Sequence, residues 1–251
     1  VSSRTDSSGL RRPRQGVRFG PLAASSVTLP ANLLDFGVYD FSLVFDALFY
    51  DFQPDSAQIF SSHTSSGNNQ VAVVGKPGDE LDLLYRDGAA ALTTVTAQNC
   101  AWRTARHLAL VFRRSADEVD IYLDGVLNQT TSTPGLSAID LGQGTTDSPV
   151  LGGTTNYQRA SMVIYNAVFL NTALSASQVL ELAGSGQVDP LTARGTVTEL
   201  ASLDFSANAS AVTDEAGELV TLTGNHDAIS DGTVSKDNCV LLEPSVNSVR
   251  H

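Results

Sequence analysis

Residues 107–129, HLALVFRRSADEVDIYLDGVLNQ, decide how this chain is read. Residues 107–112 alternate apolar and small side chains and are rich in strand formers, and the polar run 113–117 breaks them. Val119, Ile121 and Leu123 then recur with period two, which sets all three on one face of a strand and Asp120 and Tyr122 on the other. Asp124-Gly125 follows at once. An Asp-Gly pair between alternating runs marks a two-residue hairpin, because both central residues of a type I′ turn need positive φ. Residues 126–129 are the returning strand. The stretch predicts three short antiparallel strands, tight turns between them, and one buried face.

The same grammar extends in both directions. Towards the N-terminus, residues 27–34 and 41–49 read as strands. Residues 57–62 and 71–74 are two more, split by the polar loop 61–70, and 80–85 with 91–97 form a hairpin across Asp87-Gly88. Towards the C-terminus, 130–147 is a long Ser/Thr/Gly-rich loop with one short apolar piece, and 149–153 is a short strand. Short strands spaced by turn chemistry predict an all-β antiparallel sandwich. One helix is expected, over 175–183: Ser175 caps it, Gln178 completes a capping box, Val179, Leu180 and Leu182 form its apolar side, and Gly184 stops it.

The two ends differ from the middle. Residues 1–20 hold Arg4, Arg11, Arg12, Arg14 and Arg18 against Asp6 alone. Such a polar stretch cannot bury enough apolar surface to fold by itself, so it reads as a flexible arm or as one that docks on an acidic partner, a neighbouring copy included. Residues 187–251 carry strand-like runs at 197–205, 218–223 and 239–242. With so few large apolar side chains this piece is marginal alone. It is expected to be a β-rich extension leaning on the sandwich or on a neighbouring subunit, a small independent domain being the alternative. The organisation is thus an arm over 1–20, a sandwich over 21–186 and an extension over 187–251.

Composition bounds the function. The 251 residues are 42% hydrophobic, enough for a sizeable core, and carry a formal charge of −12. Outside the arm the balance is 10 basic to 26 acidic residues, which argues against nucleic-acid binding. No apolar run of about 18 residues offers a membrane span, and no signal peptide opens the chain, which begins at Val1, compatible with export, maturation or trimming. Cys100 and Cys239 are far apart, which excludes a CxxC motif or a Cys-rich zinc module and leaves a disulfide and free thiols both open.

Trp102 and the run "HLALVF…VDIYLDGVL" resemble the core signature of laminin-G-like domains, members of the concanavalin A-like lectin/glucanase superfamily; Trp102, His107, Val111, Ile121, Tyr122, Asp124 and Gly125 match it. Residues 161–184, SMVIYNAVFLNTALSASQVLELAG, resemble that family's closing strand and short helix. The resemblance covers residues 22–184. It implies a two-sheet jelly roll, with Trp102 in the core; His107, which opens a strand, is expected to fill the sandwich. It leaves the ligand open, since the superfamily holds lectins, glycosidases, adhesion modules and structural parts.

Catalysis is not expected. The superfamily's retaining glycosidases carry three alternating carboxylates on one strand. Glu118 and Asp120 supply two, but the third position falls on Tyr122 or Leu123, and Asp124 belongs to its turn. Without a general acid the leaving group is not protonated. His63, His107, His226 and His251 have no nucleophile partner, and no HExxH or EF-hand pattern exists. Calcium at the sandwich rim is what the resemblance implies; Asp51, Asp55, Asp87, Asp117 and Asp147 are the loop acids available, and no ligand set is assigned. Glycan binding needs an exposed aromatic beside polar groups. Tyr50, Phe52, Tyr85 and Tyr157 are candidates, with Asn156 and Tyr157 in a polar loop, and Asn128 and Asn208 fit glycosylation sequons.

Basic arm, acidic body and core-poor extension resemble subunits of larger assemblies, and the low-Lys, Thr/Ala/Gly/Ser-rich sandwich resembles decoration or fibre modules of tailed-phage virions. The first reading is therefore a non-catalytic virion surface module whose arms contact neighbouring subunits as a homo-oligomer or larger assembly. The second is a secreted carbohydrate-binding adhesin or lectin. Both place the chain on a virion surface or outside the cell.

Overall fold

A computed structural model describes residues 4–5, 11–12, 17–19, 25–29, 34, 36–49, 56–62, 69–87, 93–100, 105–141, 148–152, 158–159, 162–185, 199–204, 221–224, 229–230 and 233–234. The N-terminal segment holds β1 (Arg4–Thr5), β2 (Arg11–Arg12), β3 (Val17–Phe19) and β4 (Ser25–Thr28). The body comprises β5 (Phe41–Phe49), β6 (Ala57–Ser61), β7 (Gln70–Lys76), β8 (Glu80–Arg86), β9 (Thr93–Ala97), β10 (Ala105–Arg113), β11 (Glu118–Leu123) and β12 (Val126–Ser132). It continues with β13 (Val150–Gly152), β14 (Gln158–Arg159), β15 (Met162–Leu170) and helix α1 (Ala176–Ser185). The C-terminal segment adds β16 (Glu199–Asp204), β17 (Thr221–Gly224), β18 (Ile229–Ser230) and β19 (Thr233–Val234).

Two sheets form the sandwich. Sheet I runs β12-β11-β10-β5-β15-β16, with β3 also on β15; sheet II runs β17-β4-β13-β6-β7-β8-β9, with β14 beside β6. β5 is central to sheet I, antiparallel to both β10 and β15. Its alternation explains why it is buried on both sides: Phe41, Leu43, Phe45, Ala47 and Phe49 enter the core between the sheets, while Val44 faces outward under α1. The core centre is Phe45 and Phe169 from sheet I against Phe60 from sheet II, ring centroids 5.5–6.5 Å apart.

The 107–129 stretch folds as its pattern dictates. Val119 and Ile121 lie in the core with Leu123 against it, and Tyr122 joins the outer cluster beneath the helix. The turn has Asp124 at φ 53° and Gly125 at φ 83°, with Leu123 opposite Val126. Asp124 Oδ1 also accepts the His107 backbone N–H at 3.0 Å. The returning strand is longer than expected, reaching Ser132, and it carries a register break opposite the step from Ile121 to Tyr122. His107 does not fill the sandwich: Leu108, Leu110 and Phe112 take the core face of β10, so His107 falls on the outer one, opposite Asp46.

The helix cap forms as its sequence indicates. Ser175 Oγ accepts the Gln178 N–H at 3.3 Å, and Gln178 Oε1 accepts the Ser175 N–H at 2.8 Å. Val179 and Leu182 bury against Val44, Ala109, Val111 and Val168. Both ends of the chain reach the sheets: β3 pairs with β15 and Phe19 is buried, β16 adds to β15, and β17 adds to β4.

Candidate functional site

The carboxylates nearest to a glycosidase arrangement are already engaged. Glu118 and Asp120 share the outer face of β11, away from the core, and one guanidinium nitrogen of Arg113 lies 2.9 Å from Glu118 and 2.8 Å from Asp120. Thr130 Oγ1 also donates to Asp120 at 2.6 Å.

The outer face of sheet II is similarly committed. Lys76 lies 3.4 Å from both Glu80 and Asp82, Thr96 donates to Asp82, and Arg86 reaches Gln70, which donates to Ser61. Ala72, Val74 and Leu84 between them are buried.

The end of the sandwich where β5 begins and β10 ends is different. Phe36 stacks on Phe41 at 4.1 Å, and Phe41 stacks on Phe112 at 4.2 Å, so the loop entering β5 stands on a column of rings. Arg114, in a 3₁₀ turn between β10 and β11, is buried and pins that loop from the side. Its guanidinium donates to the carbonyls of Gly37, Leu136 and Ile139. Its backbone N–H donates to Asp40 Oδ1 at 2.8 Å. Burial pushes the Arg114 pKa down, and the charges of Asp140, Asp40 and Asp117 oppose that shift. Removing any of these partners would strand a buried cation.

Asp117 fixes the third loop. It sits at φ 51°, and its two carboxylate oxygens accept backbone N–H groups of Ser137 at 2.7 Å and Gly135 at 3.2 Å. The Ser137 N–H bond leads in holding its carboxyl below the usual range. Tyr85, a candidate sugar platform by sequence, is instead core, and its hydroxyl donates to Pro134 O at 3.1 Å.

What these clamps present is Tyr39. It is 69% exposed, beside the exposed Val38, on a loop tied through Gly37 and Asp40 to Arg114 and through Phe36 to Phe41. The sequence pattern does not single out Tyr39, which precedes the strand expected over 41–49, and it gives Arg114 only as part of the polar run 113–117. Two adjacent arginines between core strands were the available signal.

The other sequence candidates are not brought to this rim by anything described. Tyr50, Phe52, Asn156, Tyr157, Trp102 and Arg14 lie outside the described residues. Arg4 is the backbone register partner of Arg12 in the β1–β2 pair, Arg11 that of Thr5, and Arg18 on β3 that of Val163. Asp51, Asp55, Asp147, Asn208 and Cys239 also lie outside; Asp87 is exposed, and Asp117 uses its oxygens on the main chain. Among the described residues no group of three or more His, Cys, Asp or Glu is placed to hold a metal ion. None of the described helices is long and apolar enough to cross a membrane. Cys100 is a buried free thiol.

No protein-family model matches the sequence, and no curated protein matches it. Solved structures do. A candidate carbohydrate binding protein from Bacteroides ovatus ATCC 8483 superimposes with a TM-score of 0.56 at 14% identity, over 85% of this chain and 60% of that one. A native heptameric SAP-like pentraxin from Limulus polyphemus superimposes with a TM-score of 0.50 at 13% identity, over 83% of this chain and 95% of that one. At such identities the likeness is one of fold, and the fold is the concanavalin A-like jelly-roll sandwich.

Proposed function

We propose that this concanavalin A-like sandwich is a non-catalytic, extracellular glycan-binding module, and that Tyr39 is its stacking platform. One observation carries the reading: a largely exposed tyrosine on a loop held by Arg114, Asp40 and the Phe36–Phe41–Phe112 column. A sugar ring loses little by stacking on a ring that is already fixed, because no loop has to be ordered on binding. The carbohydrate-binding description of the Bacteroides ovatus protein with the same fold supports it. Neither likeness is to a virion component, so the second of the two sequence readings is preferred to the first.

The rim also selects a ligand class. Asp40, Asp117 and Asp140 surround Arg114, whose guanidinium is spent on carbonyls. Arg113 is spent on Glu118 and Asp120. Neutral sugars fit this surface better than sialylated, uronic or sulfated ones. Tyr50, Asn156 and Tyr157 are proposed as further loop contacts.

A glycan array with and without Ca²⁺, followed by calorimetry, tests this. Tyr39→Ala should weaken binding of a neutral glycan about tenfold, equivalent to about 1.4 kcal/mol, and Tyr39→Phe should bind nearly as the parent does. Equal binding by parent and Tyr39→Ala would move the site elsewhere, and the absence of any glycan hit would end the reading.

A further inference from the structure

This chain treats the two sides of its sandwich differently. On one side β16 adds to β15 and β17 adds to β4, so strands from beyond residue 198 cover an edge of each sheet. On the other side, among the described residues, the sheets end on β12 and β9. Those two edges are clasped together: Asn128 Nδ2 donates to Gln98 O and the Gln98 N–H donates to Gln129 Oε1, each at 3.2 Å. The clasp uses side chains of β12. Among the described residues its main chain pairs with β11 only.

An outermost strand points alternate N–H and C=O groups away from its sheet, and these groups accept another strand. Proteins that stay monomeric blunt such edges with Lys, Pro or very short strands. β12 reads VLNQTTS, seven residues with no charge and no proline, and five of the seven are exposed. β9, TTVTA, is equally uncharged. This strip lies on a chain with 27 acidic against 15 basic residues. Its margin is apolar: Val126 is 66% exposed, Leu127 49% and Leu180, seated over the Gly125 turn, 57%.

We propose that β12 is a homodimer edge, two copies pairing β12 antiparallel about a two-fold axis so that their seven-stranded sheets become one continuous sheet. The open backbone calls for a strand as partner. A second copy is the strand that fits, because an isologous contact sets the same surface against itself. An uncharged strip tolerates that, whereas like-charged acidic surfaces repel each other. The register break near Asn128 leaves Gln129 to Ser132 as the regular pairing run.

Light scattering on the full chain, from about 1 to about 100 µM where a small interface titrates, provides the test. The parent should rise to twice the chain mass. A Leu127→Lys/Ser132→Lys variant, which adds the missing guards at two exposed positions, should remain a monomer with its melting temperature unchanged. Tyr39→Ala should dimerise like the parent. A parent that is monomeric throughout overturns the proposal, as does an oligomer that the double variant leaves intact. Should that variant fail to fold, hydrogen exchange of the parent decides: protection of the β12 amides must increase with protein concentration, and concentration-independent protection rejects the interface.

Discussion

Gly125 should be the most sensitive glycine among three that share one backbone conformation. Gly78, Gly125 and Gly135 have φ of 82°, 83° and 81°. An added Cβ meets nothing within 4 Å at Gly78 or Gly135. At Gly125 it would lie 2.9 Å from Ala183 Cβ, 3.0 Å from Leu180 Cδ1 and 3.1 Å from Leu180 Cα. The helix sits directly on the turn, and part of what the methyl meets is helix backbone that cannot swing aside. The left-handed conformation costs an alanine about 1–2 kcal/mol at all three positions. Overpacking adds about 1–3 kcal/mol at Gly125 alone. Gly125→Ala should therefore destabilise by about 2–5 kcal/mol, and the other two by about 1–2 kcal/mol. In a chain of this size 1 kcal/mol moves the melting temperature by about 2–4 °C, so the expected losses are roughly 4–20 °C against roughly 2–8 °C.

Calorimetry, with urea unfolding to obtain free energies, measures all three variants. Leu180→Ala in the Gly125→Ala background removes the clash with Leu180 Cδ1 but leaves Ala183 and the helix backbone at residue 180 in the way, so it should recover only part of the loss. If the three glycine variants agree within about 0.5 kcal/mol, the packing penalty is absent and α1 does not rest on the turn.

Two further outcomes follow from buried or bonded titratable groups. Burial, and then the charge of Asp79, push the Cys100 thiol up to about 12. In a Cys239→Ser background, Ellman's reagent at about pH 8 should leave Cys100 unmodified in the native protein and modify it fully in denaturant; native labelling at the rate of a free thiol would contradict its burial. Asp117, held below its usual pKa chiefly by the Ser137 N–H, contributes stability that is fully present above the unfolded carboxyl value near 4 and is lost as pH falls through the folded value. Asp117→Asn should be less stable than the parent at about pH 7, with the gap closing below about pH 4; a gap that stays constant with pH would mean the charge plays no part.

The fold was legible because its determinants are local and periodic. Val119, Ile121 and Leu123 alternate, Asp124-Gly125 requires positive φ, and Ser175 with Gln178 writes a cap; each becomes the geometry its chemistry implies. Misreadings occurred where period two leaves a choice. His107 belongs to an alternating run, but which half faces the core depends on Leu108, Leu110 and Phe112 together. The extent of β12 was underestimated because Asn128, Gln129 and the threonines after it look like loop until β11 is beside them to pair with.

The candidate site was illegible for a different reason. Tyr39 stands two residues before β5, within reach of a run whose Phe41, Leu43 and Phe45 are all core, and nothing in its own neighbourhood separates it from them. Its exposure is decided elsewhere in the chain. Gly37 is tied to Leu141, whose N–H donates to its carbonyl at 2.9 Å, and Gly37 and Asp40 are tied to Arg114. Those partners lie roughly seventy to one hundred residues further along the sequence. A buried arginine among three carbonyls gives no periodic signal, because main-chain acceptors exist at every residue whatever its side chain. What the sequence does encode is the cost of leaving such a cation unpaired, and that cost obliges three loops to meet at one end of the sandwich. The rigidity that the proposed sugar platform at Tyr39 calls for would thus come from residues other than the tyrosine itself. Arg114→Met therefore separates the two roles: if Tyr39 acts through its fixed loop, that variant should lose glycan affinity while leaving the tyrosine itself in place.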